Sequence, residues 1–249
     1  MKCYRYNPTT FEYEGEEEAV RSPGLGALSD EWLAPANCTM KPPPKRRDGC
    51  AVVFDAQLQA WYNERDNRGT WVVDKATHRR FQYGMIGELP SGLTAEEPNW
   101  EWEAWLRFDE GSGKWVFDEG MRESLLARLW ALRKEIRSLK CAADISYGGR
   151  LVHADAESVN DVMLAYQDAA ASGDMAAKRR WVCADGDAEF TGQDFLQILQ
   201  AYRARREQLV LESDEGWRRD ALKRGEHLLM TLSELNSELA GLQAAGQPE

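Results

Sequence analysis

The feature that most constrains the fold is a change in hydrophobic spacing near residue 120. Beyond this point, apolar residues recur at intervals of three and four. The first series is Leu125, Leu129, Leu132, Ile136 and Leu139, and the second is Leu228, Leu232, Leu235, Leu239 and Leu242. This spacing predicts two long helices. Two such helices can pack against each other within the chain or form a self-associating coiled coil, and the shortness of each series favours packing within the chain.

Between these two series the sequence predicts two hairpins and two further helices. "DISYGGRLVHAD" (144–155) turns at Gly-Gly, and "RRWVCADGDAEF" (179–190) turns at Asp185–Gly186. One helix carries the face Val159, Val162, Met163 and Tyr166 and ends near Gly173; the next carries Phe195, Ile198, Leu199 and Tyr202. Thr191 and Asp194 resemble a capping box at the start of this second helix.

The first half of the chain predicts extended structure instead. Six of the nine prolines lie within residues 1–50, and the run 42–44 excludes a helix there. Ala51–Asp55 and Thr70–Asp74 are typical of short strands, with Trp61 closing a turn between them. The stretch "NERDNRGTWVVDKATHRR" (63–80) has the alternation of a hairpin.

Residues 99–119 predict a hairpin rich in tryptophan. Their sequence is "NWEWEAWLRFDEGSGKWVFDE", in which "DEGSGK" is a turn signal. The two-residue spacing of Trp100 and Trp102 predicts one shared strand face. Leu106 and Phe108 are expected to face Trp115 and Phe117 across the turn.

These patterns together predict an α+β fold. It consists of a small, proline-rich N-terminal β region with hairpins, followed by a helical domain that contains two short β-hairpins. We expect the boundaries to be 1–98 for the β region, 99–119 for the Trp-rich hairpin and 120–245 for the helical domain.

Charge and cysteine content exclude several classes of protein. The net charge is −11, and neither half is basic, so we expect neither nucleic acid nor an anionic membrane as a partner. The basic clusters at 45–47, 178–180 and 203–206 are short and flanked by acids, which is typical of solvated surface. The five cysteines lack a Cys-x-x-Cys spacing, which favours free thiols in a reducing cytoplasm over a zinc site.

No catalytic, cofactor-binding or metal-binding residues are predicted. The sequence has no nucleophile elbow, P-loop, dinucleotide fingerprint or His-Glu-x-x-His. Asp185, Asp187 and Glu189 could suggest calcium, but they offer too few ligands and fit a hairpin turn better. Glu101 and Glu103 could be a glycosidase pair, and a solvated strand face explains them more simply. We therefore expect a protein that is not an enzyme and needs no cofactor.

The tryptophans of the first half allow three interpretations. They can form the core of a small β region, a partner-binding face, or a platform that stacks on sugars. For the partner-binding interpretation, the candidate residues are Trp61, Arg68, Trp71, Trp102, Trp105 and Trp115.

Five motifs follow one another over residues 4–98: "YNPTTFEYEGEEEA", "LAPANCTMKPPP", "GCAVVFDAQLQAW", "DNRGTWVVDKATHRR" and "GELPSGLTAEEP". Their order resembles that of the tail fibre assembly proteins, or tail fibre chaperones, of bacteriophages. The region from Leu125 to Arg224 is similar to a domain of unknown function found in phage tail proteins. The hairpin at 99–119 and the leucine series after residue 225 depart from the usual pattern.

The resemblance implies a non-catalytic chaperone that binds a trimeric phage tail fibre and aids its trimerisation and folding. Its location would be the host bacterial cytoplasm during assembly. The alternative is a structural protein of the virion tail, located at the fibre tip and contacting the host receptor. Because the fibre is three-fold symmetric, a homo-oligomer of this chain is also possible.

Overall fold

The computed structural model describes residues 1–22 and 32–245, and the chain divides into two compact units. The β unit contains Met1–Glu103 and Arg107–Trp115. The helical unit contains Ala104–Leu106 and the chain from Val116 onward. Short strands dominate the first unit and long helices the second. The predicted α+β class is confirmed.

The β unit is built from short antiparallel pairings. Its strands are β1 (Lys2–Tyr6), β2 (Tyr13–Glu18), β3 (Val20–Arg21), β4 (Trp32–Leu33), β5 (Cys38–Thr39), β6 (Cys50–Asp55), β7 (Ala60–Arg65), β8 (Trp71–Asp74), β9 (Arg80–Gln82) and β10 (Leu93–Thr94). They form two three-stranded sheets, in the orders β2-β1-β5 and β10-β8-β9, and the pairs β3–β4 and β6–β7. A further hairpin consists of β11 (Leu106–Asp109) and β12 (Lys114–Phe117). Its residues are divided between the two units: Arg107–Trp115 belongs to the β unit and the rest to the helical unit.

Four hairpin loops share one five-residue turn. In each loop a side-chain oxygen of the first residue accepts a hydrogen bond from a backbone N–H two or three residues later. The first residues are Asn7, Asp55, Asp74 and Asp109, and the fifth residues, all with positive φ, are Phe11 (56°), Gln59 (49°), His78 (57°) and Gly113 (68°). Asn and Asp favour such turns because their short side chains bond to the backbone nearby.

The part of the helical unit that the structure describes contains four α-helices and two small hairpins. Its elements are α1 (Arg122–Ala142), β13 (Ile145–Tyr147), β14 (Arg150–Val152), α2 (Ala156–Ser172), β15 (Arg179–Cys183), β16 (Gly186–Phe190), α3 (Gly192–Leu222) and α4 (Glu226–Ala245). Helix α1 packs against α3 and α4, and α2 packs against α3. Among the residues described, no helix is long and apolar enough to cross a membrane.

Both leucine series are buried within the chain. The fully or nearly fully buried members are Leu125, Leu129, Leu132, Ile136, Leu228, Leu232 and Leu235. The apolar faces of α1 and α4 therefore pack against each other within the chain, which is the arrangement that the sequence favours.

The predicted Gly148–Gly149 turn and the predicted Thr191–Asp194 cap of the helical unit are confirmed. Gly148 and Gly149 both have positive φ, at 58° and 79°. Thr191 and Asp194 form the reciprocal capping box at the start of α3. The second hairpin pairs Cys183 with Gly186, so its turn lies one residue earlier than predicted.

The prediction of a hairpin over 63–80 is confirmed only for the second part of the stretch. There β8 pairs with β9 across the Asp74–His78 loop, whereas β7 pairs with β6, so the stretch joins two different sheets. The connecting loop is bonded to residues 83–87: Gly69 donates to the carbonyl of Tyr83 and Asn67 to that of Gly87. Trp61 lies within β7 rather than in a turn.

The prediction that Trp100 and Trp102 share a strand face is wrong. The backbone N–H of Trp102 donates to the Asn99 carbonyl at 2.9 Å, and a short 3-10 turn follows at Glu103–Trp105. The strands of this segment begin only at Leu106. Beyond that point the predicted facing of side chains is confirmed, since the Phe108 and Trp115 rings meet with centroids 5.4 Å apart.

Candidate partner-binding surface

Trp61 is a half-buried member of an aromatic cluster in the β unit. Its ring centroid lies 5.0 Å from that of Phe54 and 5.6 Å from that of Tyr13. Its Nε1 donates to the Lys41 carbonyl at 2.8 Å, and Asn63 of the same strand donates to the Lys45 carbonyl. Trp61 thus helps to hold the proline run against β7.

Arg68 connects the Asp66 loop to the first hairpin. Its guanidinium donates to both carboxylate oxygens of Glu12, at 2.9 and 3.0 Å, and to Asp66 at 2.7 Å. The hydrogen bonds from Arg68 favour the charged form of Asp66 and lower the pKa of that carboxyl to about 2. The main observed role of Arg68 is therefore to join segments within the β unit.

We expect the stability of the β unit to fall with pH as Asp66 becomes protonated. The folded pKa of Asp66 is about 2, against an ordinary value of 3.8. The stabilisation that ionised Asp66 gives to the β unit is therefore complete above the ordinary pKa and is lost as the pH falls towards 2. Because Arg68 is partly exposed, we expect a loss of about 1 kcal/mol. Urea unfolding at successively lower pH should show a shallower acid decline for Asp66→Asn than for the exposed control Asp48→Asn; equal slopes would contradict this account.

Trp71 begins a continuous row of contacting side chains, named here the Trp71–Trp100 strip. The indole of Trp71 is 47% exposed, and the Arg80 guanidinium carbon lies 4.4 Å from its ring centroid. Arg80 pairs with Glu97 at 2.7 Å. The other oxygen of Glu97 accepts a hydrogen bond from Trp100 Nε1 at 3.3 Å, and Trp100 is 40% exposed. The strip thus consists of Trp71, Arg80, Glu97 and Trp100.

Trp115 supports the strip from the neighbouring hairpin. Its Nε1 donates to the carbonyl of Glu96, the residue next to Glu97, at 2.9 Å. Its ring also meets His78 edge-on, with centroids 4.8 Å apart. These contacts fix the segment that carries Glu97.

The remaining two candidates lie outside this row of contacts. Trp102 is half-buried, and its buried Nε1 has no hydrogen-bond partner among the described residues. Trp105 is half-buried in the helical unit, where its carbonyl accepts from Asp118 N–H at 3.0 Å.

The strip has the composition of a protein-binding surface. It presents two partly exposed indoles that are held by a cation–π contact, an ion pair and a hydrogen bond. Tryptophan and arginine dominate the energetics of protein interfaces, especially where their side chains are already ordered. Within the described ranges, no group of three His, Cys, Asp or Glu side chains could hold a metal ion.

Comparison with known proteins finds relatives of one kind. No family model and no solved structure matches the chain. The tail fiber assembly protein of Enterobacteria phage T4 is 32% identical over 154 residues, which is 60% of this chain and 75% of the relative. The prophage tail fiber assembly protein homolog TfaR of Escherichia coli K12 is 30% identical over 105 residues, or 42% of this chain and 51% of the relative. The chain therefore belongs to the bacteriophage tail fibre assembly protein family.

Proposed function

We propose that this protein is a non-catalytic chaperone that binds a phage tail fibre protein and aids its folding and trimerisation. It acts in the host bacterial cytoplasm during assembly. The support is its family membership together with the Trp71–Trp100 strip, which is the single observation that carries the proposal.

The physical need for such a protein follows from the way fibres form. Three chains must align their strands in register before pairing, and unpaired strand edges associate with wrong partners in the meantime. A rigid aromatic surface can cover apolar fibre segments during this interval and release them when the trimer closes. The net charge of −11 on this chain opposes non-specific association between its copies.

The candidate residues take different roles in this proposal. Trp71 and Trp100 contact the fibre directly, and Trp115 holds the segment next to the strip. Trp61 and Arg68 act indirectly, since they keep the β unit folded. For Trp102 and Trp105, contact with the fibre stays a prediction, as do the functional boundaries 1–98, 99–119 and 120–245.

The double variant Trp71→Ala/Trp100→Ala is expected to bind the fibre protein at least tenfold more weakly. Each exposed, ordered indole at an interface centre contributes about 2 kcal/mol, and a tenfold change corresponds to about 1.4 kcal/mol. Co-expression with the fibre protein of the same phage, followed by affinity capture and measurement of soluble trimer, tests this. Tyr62→Ala is the matched control, because Tyr62 is a similarly exposed aromatic residue (41%) on another strand of the same unit.

These measurements test the chaperone function and the role of the Trp71–Trp100 strip separately. Equal yields of soluble trimer with and without this protein would exclude the chaperone function. The strip would be excluded as the binding surface if the double variant gave the same trimer yield as the wild type, while omitting the protein lowered that yield. Retention of the protein in purified particles would favour the alternative, a structural protein of the virion tail.

A further inference from the structure

The helical unit contains a cleft of about 830 Å³ between α1, α2 and α3. Its apolar lining includes Ala154, Val159, Met163, Leu199 and Val210, and its basic lining residues are Lys134, Arg137, Arg203, Arg205 and Arg206. None of the described residues that line it is acidic. A cleft of this volume is within the range that binds ligands in proteins.

Most basic residues of the cleft have no carboxylate in direct contact, and the acidic residues Asp144 and Asp155 lie at its edge near Tyr202. Lys134, Arg137 and Arg206 have no carboxylate partner within 4.0 Å among the described residues. Arg205 donates to the Ala143 carbonyl at 2.6 Å and so holds the end of α1, and Arg203 pairs with Glu207 at the surface. In a chain of net charge −11, this local excess of cations attracts an anionic partner.

The dimensions of the cleft favour an extended ligand over a single anion. Its lining on α3 runs from Leu199 to Val210, roughly 16 Å along the helix axis at about 1.5 Å per residue. That length accommodates about five residues of extended polypeptide, which rises about 3.3 Å per residue. The first amides of α2, at the edge of the cleft, already donate to Asp155 at 3.0 Å, so they do not offer a phosphate site.

We propose that this cleft binds an acidic polypeptide segment whose carboxylates alternate with apolar side chains. The carboxylates form ion pairs with Lys134, Arg137 and Arg206, and the apolar side chains of the segment pack on the apolar lining of the cleft. Met163 suits this role because it is 44% exposed and its flexible thioether adapts to the shape of a ligand. The site is separate from the Trp71–Trp100 strip, and nothing in the proposal depends on the identity of the strip's partner.

The test uses the full chain and a fluorescein-labelled peptide of alternating glutamate and leucine, with fluorescence anisotropy as the readout. We expect saturable binding that weakens about tenfold in Arg206→Glu and in Arg137→Glu, because reversing a charge replaces an attraction with a repulsion. Arg128→Glu is the matched control: Arg128 is exposed on α1 and does not line the cleft. Met163→Glu should also weaken binding, and circular dichroism confirms that each variant is folded.

Several results would overturn the proposal. One is absence of saturable binding, and another is equal binding by Arg206→Glu and the wild type. If a peptide with glycine in place of leucine bound equally well, the apolar lining of the cleft would not contribute to binding. Competition by a short single-stranded DNA with the same sensitivity to Arg206→Glu would identify a general anion site instead. No fibre protein is present, so failure here leaves the chaperone function untouched.

Discussion

Replacing Asp220 with alanine is expected to lower the free energy of unfolding of the helical unit by about 3–5 kcal/mol. Asp220 on α3 has no exposed surface, and its carboxylate accepts a hydrogen bond from Arg133 Nε of α1 at 2.7 Å. Lys223 lies 3.6 Å from the other carboxylate oxygen. Without Asp220, the mostly buried Arg133 guanidinium keeps its charge but loses its partner, and this accounts for the large loss.

Urea unfolding followed by circular dichroism measures this effect. Glu215→Ala, at an exposed position of the same helix, is the control and should change stability by less than about 0.5 kcal/mol. The double variant Arg133→Met/Asp220→Leu should recover much of the loss, because it removes both buried charges together. A loss below about 1 kcal/mol in Asp220→Ala would show that Arg133 reaches solvent and is not dependent on the pair.

Phe195→Ala is expected to destabilise the helical unit by a similar amount, about 3–5 kcal/mol. Phe195 is fully buried at the start of α3, in a core cluster that includes Val152, Val162 and Ile198. Its ring meets that of Trp181 edge-on, with centroids 5.0 Å apart. Truncation leaves a cavity that the two flanking hairpins cannot fill without losing their own pairing.

The same unfolding measurement, with Trp181 fluorescence as a second probe, checks this prediction. Leu211→Ala is the control, since Leu211 lies on the same helix but is largely exposed. Phe195→Leu should lose less than Phe195→Ala because it leaves a smaller cavity. Equal losses in these two variants of Phe195 would contradict the cavity explanation.

The helical unit could be predicted from sequence because its signals are local. The leucine spacing, the Gly148–Gly149 turn and the Thr191–Asp194 capping box each depend on residues within a few positions of one another. Each of these patterns predicts a local structure, a helix, a tight turn or a helix cap, and the structure contains each of them.

The β unit was harder to predict because strand pairing is not local. The alternation over 63–80 is genuine, but it belongs to two strands that pair with different partners, β6 and β9. The strand Tyr13–Glu18 has no clear signal in the sequence, because a run of glutamates has little strand propensity on its own. Its pairing with β1 overrides that preference.

The candidate surfaces also depend on distant residues. Of the Trp71–Trp100 strip, only Trp71 was a candidate; Arg80 joins it because β8 pairs with β9. The basic cluster 203–206 is typical of solvated surface in the sequence. In the structure, three of its residues line the same cleft as Lys134 and Arg137 of α1, a proximity that no local pattern predicts.

The turn geometry shared by four hairpin loops has a consequence for the order in which the β unit folds. Each loop closes over only five residues, so the entropy cost of closing it is small. Isolated hairpins form in about 1–10 μs, far faster than three long chains can meet and align. We therefore expect these hairpins to form early and without a template, before the slower pairing of strands that are distant in the sequence.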